Sequence, residues 1–246
     1  MPAGFVSYTD SGIIQIDENY RTFNVAYSGI ATSYIDTWSF PDPAFRPVNS
    51  SFDFTVEGYG PSVPTPVIAI ESPDWCQVSA EQIMIPSPPQ NAWSMKFSGY
   101  CSGGAGSQIK WYWFDPILPT FATRNGLNVW KGDGTLVFSS DQKPLKVLGI
   151  MEGDVESPTG VQDAAINIRN LTGFPTGRRY ATVMGQVGVA NRSGGGLIIN
   201  RESRGRSVDG GIQISDHLTT SIRSSSSTSY NLDPRFTAMC IDVTGF

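Results

Sequence analysis

The sequence predicts an all-β protein made of two tandem β-sandwich-like modules related by internal duplication. The first observation behind this is a repeat. Residues 4–25, GFVSYTDSGIIQIDENYRTFNV, and residues 126–147, GLNVWKGDGTLVFSSDQKPLKV, align without a gap at an offset of 122. Gly4 falls on Gly126, Phe5 on Leu127, Tyr8 on Trp130 and Gly12 on Gly134; Ile14, Ile16, Phe23 and Val25 fall on Leu136, Phe138, Leu145 and Val147. Each matched position keeps its physical type, and self-similarity at fixed spacing marks repeated structural units. The second observation is composition. Charged residues make up 16%, below the roughly 25% usual in soluble domains. Serine, threonine, glycine and proline take their place, which suits strands joined by many turns or a surface covered by partners. The third is local pattern: short alternating apolar runs bounded by turn residues recur along the chain, and only residues 160–170 offer a weak helical signal.

The repeat sets the module boundary at 1–122 and 123–246, each the size of an ordinary domain. The modules differ in surface. The first carries 4 Lys/Arg against 11 Asp/Glu, the second 13 against 11, and 21 of the 28 aromatics precede residue 123. An acidic, aromatic module and an arginine-rich module are therefore expected to meet different neighbours. The net charge of −5 argues against nucleic acid as a partner, because phosphate contacts need clustered cations.

Each repeat opens on a hairpin. In the first copy residues 5–8 and 13–16 flank Thr9-Asp10-Ser11-Gly12; in the second, 127–130 and 136–138 flank Lys131-Gly132-Asp133-Gly134. Glycine after Ser or Asp supplies the positive φ of a tight turn. A third strand follows at 23–27 and again at 145–150. The first module continues with strands expected at 34–40, 51–57, 66–70, 81–85, 92–99 and 110–114. Prolines at 61, 64 and 66 and at 86, 88 and 89 exclude central pairing where they lie. Residues 102–107 form a glycine-serine loop, and 116–123 form a proline-stiffened linker. The second module continues at 165–168, 180–189, 196–200, 211–214 and 237–243. Polar loops are expected at 193–196 and 224–229.

Gly126–Ser139, followed by Leu145–Leu148 and a closing strand at 237–243, resembles the small tail-tip and fibre-associated proteins of long-tailed bacteriophages, whose hairpin reads GLxVyxxdGxxxFdS. The MPAGF start is similar to the same group. The resemblance covers under a third of the chain and brings no catalytic residues. It implies a virion tail component that assembles in the host cytoplasm with other phage tail proteins, is oligomeric in the virion, and takes part in host attachment.

The chemistry-bearing residues fit that expectation. The single histidine, His217, reads as a surface or capping residue at a strand end. No nucleophile elbow accompanies it, and one histidine cannot build a histidine-rich metal site. Carboxylate pairs suited to glycoside hydrolysis are Asp10 with Asp17, Asp53 with Glu57, and Glu152 with Asp154 and Glu156; each also reads as a turn or solvent-face residue. The 152–156 acidic turn lacks the ligand pattern of a calcium loop. Neither glycine cluster precedes a helix or carries a phosphate-loop lysine. No cofactor is called for. Cys76, Cys101 and Cys240, an odd number without metal spacing, read as buried free thiols. The N-terminus lacks signal-peptide features, and no apolar run reaches the length of a membrane span.

Two segments ask for a partner. Lys110-Trp111-Tyr112-Trp113-Phe114 must send alternate rings to opposite sides of a strand, so one pair fills the core and the other needs a cover. Arg201-Glu-Ser-Arg204-Gly-Arg206, with Arg178-Arg179 and Arg192 upstream, reads as a loop whose guanidinium forks suit carboxylates or an anionic surface. Trp111, Trp113, Arg201, Arg204 and Arg206 are thus the candidate interface or receptor contacts. The sequence reading is a non-enzymatic structural component. The alternatives are a carbohydrate- or receptor-binding module that stacks sugars on Trp111 and Trp113, or on Trp75 and Trp93, and a polysaccharide-degrading tail enzyme.

Overall fold

The computed structural model describes residues 6–8, 14–17, 23–35, 50–57, 66–84, 93–115, 127–139, 142–156, 166–194, 197–223 and 233–246. Among these every regular element is a β-strand and every ladder is antiparallel. Two short hairpins stand apart: β1 (Val6–Tyr8) with β2 (Ile14–Asp17), and β9 (Asn128–Trp130) with β10 (Leu136–Ser139). The second hairpin closes as its residues dictate. Gly134 takes φ 85°, a left-handed conformation that a side chain would oppose. Its amide donates to Lys131 O at 3.0 Å, and Asp133 Oδ1 accepts from the Thr135 amide at 2.9 Å.

The remaining strands build two larger sheets. One has six strands in the order β11 (Val147–Asp154), β17 (Arg235–Asp242), β13 (Tyr180–Gln186), β5 (Val67–Glu71), β8 (Gln108–Asp115), β3 (Asn24–Thr32). The other runs β12 (Ile166–Thr172), β16 (Gly211–Arg223), β15 (Leu197–Val208), β6 (Cys76–Met84), β7 (Trp93–Cys101), β4 (Ser50–Glu57), with β14 (Val189–Gly194) added against β15. Both sheets therefore take strands from both halves of the chain. Apart from β14, the halves lay down strands in the same order. Outward from the middle, β5-β8-β3 answers β13-β17-β11, and β6-β7-β4 answers β15-β16-β12.

The halves meet edge to edge along a narrow seam. In the six-stranded sheet it is bridged at Ile70 opposite Thr182, and in the seven-stranded sheet at Cys76 opposite Gly205. Gly205 is required there. A Cβ on it would lie 2.5 Å from Thr182 Cγ2, a side chain arriving from the opposite sheet.

Alternation places the core between the sheets. In the first half, Ala31, Ile70 and Ile109 of one sheet meet Phe52, Cys76 and Cys101 of the other. In the second, Tyr180, Phe236, Ala238 and Cys240 meet Ile212 and Ile214. A further apolar layer forms on the outer face of the six-stranded sheet. There Tyr112, Phe114, Val183 and Ile241 lie under Phe23, Leu145 and Phe246.

Several elements differ from the sequence expectation. The arginine segment expected as a loop is the interior of β15, paired with β16 from Leu197 to Val208. The strand expected at 165–168 is present as β12 and runs on to Thr172, so residues 166–170 of the weak helical signal are not helix, and 152–154 of the acidic turn are strand. The strand expected at 180–189 is two, β13 and β14. Lying outside the described residues are the turn 9–12, the strand residues 36–40, the proline stretches 61–65 and 86–89, the linker 116–123 and the loop 224–229.

Candidate functional site

β8 separates its rings as alternation requires. Trp111 and Trp113 point between the sheets. Trp113 is fully buried, edge-on to Phe97 at 5.4 Å, and Trp111 stacks on Phe54 at 4.4 Å. Tyr112 and Phe114 take the outer face, and the cover they need is the chain itself, with Phe246 about 6.0 Å from each ring. Trp113 is a core residue, and Trp111 is partly buried with its ring laid against Phe54. Of the other proposed pair, Trp75 is buried and Trp93's side chain lies outside the described residues.

Two arginines of β15, Arg204 and Arg206, serve the seam. The Arg206 guanidinium lies 4.3 Å from the centre of the Trp75 ring and its Nε donates to Gln213 Oε1 at 2.8 Å. Trp75 also meets His217 at 5.2 Å between ring centres, and Arg204 lies over Tyr100 at 5.8 Å. Trp75 and Tyr100 belong to the first half, the arginines and His217 to the second. Cation–π contact of this kind strengthens as water is excluded. Arg201 and Arg204 are both buried, so these two are not open to an anionic surface as expected from sequence.

His217 is correspondingly not a surface residue. It sits within β16 at 4% exposure. Burial, and then the charges of Arg204, Arg206 and Arg201, push its imidazole down to about 3. A base that weak is neutral and poorly matched to proton abstraction near neutral pH.

A second set of contacts ties the outer face of the seam. Arg179, just before β13, grips Glu71 at the end of β5 in a fork, Nε to Oε1 at 2.9 Å and Nη2 to Oε2 at 2.6 Å. Tyr112 donates to the same carboxylate, Lys110 adds an ion pair at 3.7 Å, and Arg179 Nη1 donates to Phe246 O at 3.2 Å. Burial alone would raise the Glu71 carboxyl; the Arg179 and Tyr112 hydrogen bonds outweigh it and hold the group below its ordinary value. The same burial, together with the Glu71 carboxylate, raises the Tyr112 phenol. The Arg178 guanidinium meets Asp242 at 2.8 Å.

With these groups engaged in the seam, the surface open to a partner lies elsewhere. β3 and β11 are the two edge strands of the six-stranded sheet. Ile30 on β3 and Ile150 on β11 are 57% and 59% exposed, and Tyr27 and Val147 on the same strands are also exposed. Ile168 on β12, an edge of the other sheet, is exposed as well. An edge strand presents unpaired backbone groups in a row, and proteins usually guard it with charge, proline or a bulge. Sequence pattern could not single out these residues, because which strand lies at an edge is a property of topology.

Asp53 pairs with Lys96 at 3.4 Å, and Glu152, Asp154 and Glu156 are exposed; the side chains of Asp10, Asp17 and Glu57 lie outside the described residues. Among the described residues no group of three or more His, Cys, Asp or Glu is placed to hold a metal ion. All three cysteines are buried and free, with Cys76 directly opposite Cys101. No helix among the described residues is long and apolar enough to cross a membrane. Comparison with protein-family models, curated proteins and solved structures returned no match to this chain.

Proposed function

We propose that this chain is a non-enzymatic structural protein of a bacteriophage tail tip or tail fibre, in which an internally duplicated β scaffold joins other tail proteins through its sheet edges. The observation that carries the reading is the pair of strands β3 and β11. They bound one sheet at opposite ends, and each carries an exposed isoleucine and further exposed apolar side chains. Strand addition at such an edge gives affinity through backbone hydrogen bonds and specificity through alternate side chains. Two edges on one sheet suit a connector with a neighbour on each side. The matching strand order of the two halves supports duplication of one module, and the resemblance of Gly126–Ser139 to phage tail-tip hairpins supports the virion setting.

The chain would be made in the host cytoplasm and act in the virion during attachment. Mass spectrometry of purified virions tests this: the chain is expected at a fixed copy number per tail, and its absence from the particles overturns the reading. The carbohydrate-binding alternative is weakened by the burial of Trp113 and the stacking of Trp111 on Phe54, and no other observation favours it.

A further inference from the structure

Cys76 and Cys101 stand directly opposite each other, at the first residue of β6 and the last of β7. The Ser102 amide donates to Trp75 O at 3.1 Å, just outside this pair. The ladder bonds therefore flank the two cysteines, which form a non-hydrogen-bonded pair. In such a pair the Cα atoms lie about 4.5 Å apart and the side chains stand closer than elsewhere in the ladder. A disulfide accepts Cα separations of about 4.4–6.8 Å, so the backbone already holds the two sulfurs in reach of a bond. Both side chains enter the core between the sheets, and their thiols are hydrogen-bonded to each other.

The two thiols are not equivalent. The Gly103 amide donates to Cys101 Sγ at 3.4 Å. The hydrogen bond from Cys76, then that amide and the Arg204 charge, hold the Cys101 thiol below its ordinary value despite its burial. The same thiol–thiol bond, with burial, pushes Cys76 up. A readily ionised sulfur beside one that keeps its proton is the arrangement of a nucleophile with its resolving partner. Gly103 is exposed, so Cys101 Sγ lies one layer of backbone beneath solvent, an approach suited to a small uncharged oxidant. The third thiol, Cys240, is on β17 in the other sheet, where burial pushes it up to about 12.

We propose that Cys76 and Cys101 are a redox-modification site, which hydrogen peroxide closes to a disulfide and a thiol reductant reopens. The Cys101 thiolate attacks one peroxide oxygen; the O–O bond breaks, hydroxide leaves, and Cys101 becomes a sulfenic acid. The Cys76 sulfur then attacks the Cys101 sulfur, the S–O bond breaks, and the Cys76 proton departs with that hydroxyl as water. The sulfur pair has given up two electrons to the peroxide. The bond matters because Cys76 is the β6 residue that bridges Gly205 of β15, so it ties β7 to the strand that joins the halves. Thiols persist in a reducing compartment, and the staple forms in an oxidising one. The site uses neither edge of the six-stranded sheet, so its failure and that of the assembly reading are separate.

Peptide mass spectrometry on the full chain tests it. Reduced, folded protein is treated with hydrogen peroxide, then unfolded and alkylated without reductant. A linked Cys76–Cys101 peptide is expected with Cys240 alkylated, and dithiothreitol should restore all three thiols. The oxidised protein should melt roughly 5–10 °C higher, the effect of closing the 76–101 segment in a chain of this size. In Cys76→Ala the sulfenic acid lacks its resolving partner, and dimedone should label Cys101. Alkylation of both Cys76 and Cys101 in the peroxide-treated wild type overturns the proposal, whether or not the variant folds. So does linkage of either to Cys240 or to a second chain, a disulfide that forms only when oxidation is carried out in urea, or an unchanged melting temperature of the linked protein.

Discussion

The amide of Leu145 donates to the carbonyl of Phe23 at 2.7 Å, and these two residues occupy the same position in the two copies of the repeated segment. The pairing is antiparallel: Asn24 bridges Pro144, and the Val25 amide donates to Lys143 O at 3.0 Å. A residue paired with its own counterpart is what a local twofold relation between the copies demands. Both side chains also pack over Tyr112 and Phe114 on the outer face. Leu145→Pro removes the donor and part of that cover, and is expected to cost about 1–3 kcal/mol. Urea denaturation measures it, and a loss below about 0.5 kcal/mol contradicts the pairing.

Gly205 and Thr182 hold the sheets at the seam, and they should be coupled. Gly205→Ala brings a Cβ to 2.5 Å from Thr182 Cγ2 and should destabilise by about 1–3 kcal/mol. Thr182→Ala removes the obstructing methyl. In a double-mutant cycle it should recover a large part of the loss, whereas additive effects would deny the contact.

His217 gives the fold a pH dependence of known sign. Its folded value near 3 lies below the ordinary 6.5, so between those limits the unfolded chain binds the extra proton. Stability is therefore complete above about pH 6.5 and declines as pH falls, by roughly 1 kcal/mol per pH unit at first. His217→Gln should flatten the stability curve between pH 6.5 and 4.5. An unchanged slope would mean that the imidazole is protonated in the fold.

Glu71 acts lower on the pH scale. Its carboxyl is held below the ordinary 4.5, so its contribution is present above that value and is lost as pH falls through the lowered one. Arg179→Met should cost about 1–3 kcal/mol at pH 7 by leaving Glu71 without its fork. The difference from wild type should shrink below pH 4. A pH-independent difference would locate the effect in packing.

The strand inventory was largely legible in the sequence, because alternation and glycine turns are local. β4, β5, β7, β8 and β17 lie close to where pattern placed them. The arginine segment misled because charge is a weak guide to exposure when aromatic rings are available to receive it. Arg204 and Arg206 are strand residues laid over Tyr100 and Trp75. The contrast between an aromatic, acidic half and an arginine-rich half was visible in composition. That the two are in part each other's neighbours was not, since composition carries no information on which strands adjoin. The same limit hid His217, whose burial comes from residues distant in sequence, and the edge positions of Ile30 and Ile150.

The central claim, assembly through the edges of the six-stranded sheet, is tested most directly by incorporation of an edge variant into virions. Ile30→Lys with Ile150→Lys places a charge on each edge strand, the substitution that edges use to refuse partners. Both side chains are exposed, so the melting temperature should change little. Quantitative mass spectrometry of purified particles is expected to find wild-type chain at fixed copy number and the double variant reduced at least about tenfold, the effect of one lost docking strand. Incorporation of the folded double variant at the wild-type level would contradict the account.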